Sequence, residues 1–200
     1  MLKRRPAINP DGTDTTHLMQ LFDSDLSLAD NVAHFVGQGL ARDEQVLVVM
    51  SAERWNAVAM RLTLLGCPVD DALRFGQLVV RDADEVLMQF MVGDKPHPHQ
   101  FFATVGSLIE AQSACGRPLR VYGEMVDVLI AQGHYAAAFE LEELWNGLAD
   151  RHPFTLLCGY TSGHFGDPHS AADLRRICAA HGSIAVDPED VLASFLVNRF

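Results

Sequence analysis

The stretch "FDSDLSLADN" (22–31) crowds three aspartates and two serines into the turn between an apolar run and a helical pattern. In nucleotide-binding proteins such a turn cradles phosphate: glycines let backbone N–H groups converge, a lysine supplies charge, and Ser or Thr holds magnesium. Here the turn has neither glycine nor lysine, and Asp23, Asp25 and Asp30 would repel a triphosphate. The chain's two lysines, Lys3 and Lys95, lie in the N-terminal segment and in "GDKPHP", so no G-K-[ST] motif exists. ATP hydrolysis of the P-loop kind is excluded on chemistry alone, and Ser27 with Asp30 reads instead as a capping box.

Ligands of open parallel sheets bind beyond the C-terminal strand ends. That rule nominates Asp23, Ser24, Met50, Ser51, Asp82, Tyr122, Gly123, Glu124, Met125 and Tyr160, which together mix apolar and polar groups as a small organic ligand requires. Each has a plainer use as a helix cap. Glu124, after an apolar strand, could bind a ligand, lie on a helix N-terminus, or pair with Arg120 or another arginine. No catalytic residue emerges, since no G-x-S-x-G elbow supports a triad.

Metal chemistry finds little support along the chain. His97 and His99 sit in a Pro-rich loop, His164 and His169 near another, and none belongs to an H-x-x-x-H or C-x-x-C pair. Neither a metal nor another cofactor is expected. A metal-dependent enzyme would require at least three of the nine histidines and the carboxylates to converge. Cys67, Cys115, Cys158 and Cys178 are widely spaced and read as reduced, mostly buried thiols.

The elements that must position these residues alternate. "HLMQLF" (17–22), "QVLVVM" (45–50), "QLVVRD" (77–82), "LRVYGE" (119–124) and "FTLLCGY" (154–160) read as strands, separated by helical patterns. Among these, Leu28, Val32, Phe35, Val36 and Leu40 share one face, "AERWNAVAMRLTLLG" stops at Gly66, and Ala137, Leu141, Leu144, Trp145 and Leu148 share a stripe. Pro98 suits the first turn of the helix marked by Phe101, Val105, Leu108 and Ile109. Helices around 170–181 and 188–198 close the chain, the last with Val191, Leu192, Phe195 and Leu196 on a face that packs on the sheet or meets a partner or second copy. The fold class is α/β with a mainly parallel sheet.

At 200 residues the chain suits one domain, 17–200, behind a flexible tail at 1–16. Apolar residues at 48% and charged ones at 20% are globular composition, with no run near the ~20 residues of a membrane span and no secretory signal, so a cytoplasmic protein is expected. The net charge of −11 argues against direct nucleic-acid binding.

"RVYGEM" (120–125), "LEELWN" (141–146) and "LLCGY" (156–160), with the supporting spacing of Gly66 and Gly76, make residues 17–181 resemble the MEDS family, the sensory domain of methanogens and methylotrophs. The resemblance implies a three-layer, RecA-like fold without a P-loop, a degenerate relative of RecA-like and clock-type ATPases. "FDSDLSLADN" then stands in the Walker A place, and Glu124 stands where Walker B ends its strand. It also implies a sensor of hydrocarbon derivatives. With no evident output segment, a regulatory partner is expected, a histidine kinase or transcription regulator, and a homodimer is a further option. The alternatives are a pure protein-interaction module and a pseudo-ATPase with residual nucleotide binding.

Overall fold

The computed structural model describes residues 16–165 and 171–186. The expected tail (1–16, Thr16 apart), His169 and the helix expected around 188–198 lie outside the described residues. The chain runs β1 (Thr16–Phe22), α1 (Asp25–Ala41), β2 (Gln45–Met50), α2 (Ala52–Leu64), α3 (Val69–Arg74), β3 (Leu78–Asp82) and α4 (Ala83–Phe90). A short hairpin, β4 (Met91–Val92) and β5 (Lys95–Pro96), leads to α5 (Pro98–Phe101), which continues through a π-helical turn into α6 (Ser107–Ser113). Then follow β6 (Leu119–Gly123), α7 (Met125–Ala131), α8 (Tyr135–Ala149), β7 (Thr155–Thr161), a 3-10 turn, α9 (Ala171–Ala180) and β8 (Ser183–Val186).

Six strands form one parallel sheet in the order β3-β2-β6-β7-β1-β8. Helices cover both faces, giving three layers as expected. Side-chain alternation sorts each strand between two cores. Leu47, Val49, Val121, Leu156 and Cys158 pack with α4 to α9, whereas Val46, Val48, Met50, Tyr122 and Leu157 pack with α1 to α3. All six residues of β2 are buried, as continuous apolar composition requires of a central parallel strand. No helix among the described residues is long and apolar enough to cross a membrane.

The structure changes several local expectations. The cap of α1 is Ser24, whose hydroxyl accepts from the Ser27 N–H at 3.2 Å, and Asp25 opens the helix. Ser27 therefore stands inside the helix, three residues after its cap, and does not form the expected capping box with Asp30. The hairpin, α3 and β8 are additional elements. Gly66 does end the second helix region, at φ +77°. Of the cysteines, Cys158 is buried, Cys67 and Cys178 are half-buried and Cys115 is exposed, which corrects the expectation of mostly buried thiols.

Gly159 permits the closest packing on the α1 side of the sheet. A Cβ there would stand 3.0 Å from both Phe22 Cε2 and Tyr122 Cζ, and closer still to the Tyr122 hydroxyl. That hydroxyl is fully buried without a hydrogen-bond partner. Gly159→Ala should therefore destabilise the protein by about 1–3 kcal/mol through overpacking. Adding Tyr122→Phe, which removes the crowded oxygen, should recover part of the loss; chemical denaturation of the two single variants and the double variant tests this coupling.

Candidate functional site

At the C-terminal edge of the sheet, the strand ends are stitched together by Arg54, in the first turn of α2. Its Nε donates to Asp25 Oδ1 at 3.0 Å, one terminal nitrogen donates to Glu124 Oε2 at 3.1 Å and Asp127 Oδ2 at 3.3 Å, and the other donates to Thr161 Oγ1 at 3.2 Å. One side chain thus ties α2 to α1, to the β6–α7 junction, to α7 and to the end of β7.

Each partner is itself held. Glu124 Oε1 accepts from the Ser51 N–H at 2.5 Å, so the carboxylate lies across the start of α2. Asp127 accepts from the Thr161 N–H at 2.8 Å and hydroxyl at 2.9 Å, with His164 Nε2 at 3.4 Å. Glu124 and Asp127 are buried, while Arg54 keeps about a quarter of its side chain exposed. Burial raises the Glu124 pKa against the opposing Ser51 N–H and Arg54. Burial alone would lower the Arg54 pKa, but Glu124 and Asp127 outweigh it and hold the guanidinium above its ordinary value.

The residues nominated from strand ends fall into three groups. Ser51, Glu124 and Asp82 are joined locally: Ser51 caps α2, and Asp82 both caps α4 and accepts from the Ala52 N–H at 3.2 Å. Asp23 and Ser24 are exposed at the start of α1, with the Ser24 hydroxyl donating to Asp23 at 3.0 Å. Met50, Tyr122, Met125 and Tyr160 are buried among the helices, and Gly123 lies with Trp145 3.8 Å from where its Cβ would be. The partner of Glu124 is Arg54, not Arg120, which is buried at the other end of its strand against Glu44 at 2.7 Å and over the Phe35 ring. Arg54, Asp127 and Thr161 were not singled out. Their one sequence signal is position: Arg54 three residues after a strand-end serine, and Asp127 three after Glu124 on the next helix.

A second polar cluster lies on the other face, where His17 (β1), Glu142 (α8), Cys158 (β7) and His181 (just after α9) meet, all buried. His17 Nε2 is 3.3 Å from Cys158 Sγ and 3.4 Å from Glu142 Oε2, and His181 Nε2 is 3.6 Å from the same oxygen. The Tyr160 hydroxyl donates to Glu142 Oε1. Burial pushes the Glu142 carboxyl up to about 8; burial and the neighbouring His17 push His181 down to about 3. These are the donor types that could hold a metal. Of the histidines weighed from sequence that the structure describes, His97 and His99 are exposed and His164 faces Asp127. Glu142 and Cys158 stood inside "LEELWN" and "LLCGY", but their convergence with His17 and His181 carries no spacing signal. A histidine heading an apolar strand was the visible hint.

Compared with protein families, residues 16–182 match MEDS, described as the MEthanogen/methylotroph, DcmR Sensory domain. Among curated proteins no match is found.

Arg54→Ala would leave Glu124 and Asp127 buried without their cation, a loss in the range of ~3–5 kcal/mol for breaking such a pair. Glu124 already has a raised folded-state pKa, and removing Arg54 raises it further. A carboxyl raised on folding takes up a proton in the native state first, so the variant's deficit should be largest above the folded Glu124 pKa and shrink as pH falls through it. Denaturation of wild type and variant at neutral and acidic pH checks both size and sign.

Proposed function

The chain belongs to the MEDS family of sensory domains, and from this premise we propose that it is a non-catalytic sensor that binds a small, largely apolar organic ligand, a hydrocarbon derivative, and signals through a protein partner. The observation that carries this reading is the engagement of Arg54 at the strand ends. A phosphate site needs cationic charge to spare there, and this guanidinium already faces Asp25, Glu124 and Asp127. With Asp23 exposed just before α1 as well, the edge favours a neutral ligand over a nucleotide. On this reading the domain is RecA-like without a P-loop, and an internal ion-pair latch stands where an ATPase would hold phosphate.

The ligand would sit against Asp23, Ser24, Ser51 and Asp82, beside the buried Glu124, and act on the latch. Arg54 bridges four separate elements, so a ligand that favours one arrangement of this bridge shifts α1, α2 and α7 relative to β7. A partner that reads those helices, such as a histidine kinase or transcription regulator in the cytoplasm, would receive the signal. Met60 and Leu64, one helical turn apart on α2, are strongly exposed, as are Leu65 and Phe75 beyond it. Exposed apolar side chains of this kind support protein contact, with a partner or with a second copy.

Native mass spectrometry of the purified protein, followed by thermal shift with ATP and a panel of short hydrocarbons, alcohols and halides, tests the reading. A retained organic molecule or stabilisation by the panel and not by ATP is expected; saturation at 100 times Kd corresponds to about 2.7 kcal/mol. Stabilisation by ATP alone would indicate a pseudo-ATPase. No retained compound and no shift would leave a pure interaction module.

A further inference from the structure

We propose that His17 Nε2, His181 Nε2, Glu142 Oε2 and Cys158 Sγ form a tetrahedral site for a borderline divalent metal ion of the zinc class. The four donor atoms lie within 4.8 Å of one another. Around zinc, with bonds of about 2.0–2.3 Å at tetrahedral angles, neighbouring donors stand about 3.3–3.6 Å apart. The closest contacts here, 3.3, 3.4 and 3.6 Å, fall on that spacing.

The histidine tautomers fit the same reading. His17 Nδ1 donates to Asn146 Oδ1 at 2.9 Å, and His181 Nδ1 donates to the Ile177 carbonyl at 2.8 Å. Both acceptors are oxygens with no proton to give, so each neutral ring carries its proton on Nδ1 and turns the Nε2 lone pair inward. This is the outer support that metal-bound histidines use. Asn146 is fixed in turn, its amide donating to the Ala180 carbonyl at 3.2 Å, and Tyr160 orients the remaining oxygen of Glu142.

Among protein groups alone the centre is poorly satisfied. Glu142 Oε2 and His181 Nε2 are both fully buried without a hydrogen-bond partner and face one another at 3.6 Å. Buried polar atoms left this way are costly, and a cation between them, bound as Glu142 gives up its proton, removes the cost. The N2OS donor set suits zinc and its neighbours rather than magnesium or calcium, which take oxygen ligands. A cleft of about 610 Å³ borders His17, Asn146, Ala180 and His181, among them two of the four donors. Four protein ligands fill the tetrahedron and leave no open position, so the ion is structural or regulatory, tying β1, β7, α8 and the segment after α9 together.

The test is titration of the chelator-treated full chain, its fold verified by circular dichroism, with Co²⁺ alone as a spectroscopic probe. One equivalent should bind with intense tetrahedral visible bands and a thiolate-to-cobalt absorption in the near ultraviolet. Cys158→Ser should abolish the thiolate band, and Asn146→Ala should keep the band while weakening affinity about 10–100-fold. Failure of the folded wild-type protein to take up Co²⁺, uptake without a thiolate band, or a band that survives Cys158→Ser would overturn the assignment. The wild-type arms decide the matter even where a variant fails to fold.

Discussion

Because helices cover both faces of the parallel sheet, a polar side chain that a strand carries inward either finds its partner within the protein or, like the Tyr122 hydroxyl, is buried without one. Most of the distinctive features follow from this constraint. Arg120 lies in a strand whose five residues are all buried; it pairs with Glu44 and stacks on Phe35. Gly39 makes room for it, since a Cβ there would stand 3.2 Å from the Arg120 side chain and 2.9 Å from Val46. Glu124 ends the same strand and meets Arg54. On β1 and β7, His17, Cys158 and Tyr160 converge on Glu142.

Two polar centres result, serving different physical ends. The strand-end latch is partly open to solvent and built from full charges, so it can respond to whatever binds beside it. The His/Glu/Cys centre is buried, with His17 Nε2 and Cys158 Sγ in hydrogen-bond contact and Glu142 Oε2 and His181 Nε2 left without a partner. Strand β7 contributes to both, with Thr161 in the latch and Cys158 and Tyr160 in the second centre. A short strand held by β6 and β1 on either side is rigid, so the two centres share a firm reference.

Much of the fold was legible because the patterns behind it are local. Continuous apolar runs marked the five main strands, and the apolar stripe of α8 marked a helix whose Trp145 is 1% exposed. The short elements were missed for an equally local reason: two-residue strands and a six-residue helix hold too few residues to show a period. At the site, the strand-end rule found Ser51, Asp82 and Glu124, which do interact near the start of α2. It did not find Arg54, because the rule names strand ends and not the helical side chain that reaches back over them.

By itself the sequence determined an α/β chain of alternating strands and helices, the lack of a P-loop motif and the resemblance to a sensory family. Residue identity and local pattern suffice for these: a chain without a G-K-[ST] motif cannot form a P-loop wherever its turns lie. Only the tertiary structure decided which carboxylates Arg54 neutralises, which arginine faces Glu124, and that His17 and Cys158, 141 residues apart, touch. Strand order is the physical reason. The pairing of β1 with β7 and β8 brings together segments from opposite ends of the chain, and no spacing along the sequence records that adjacency.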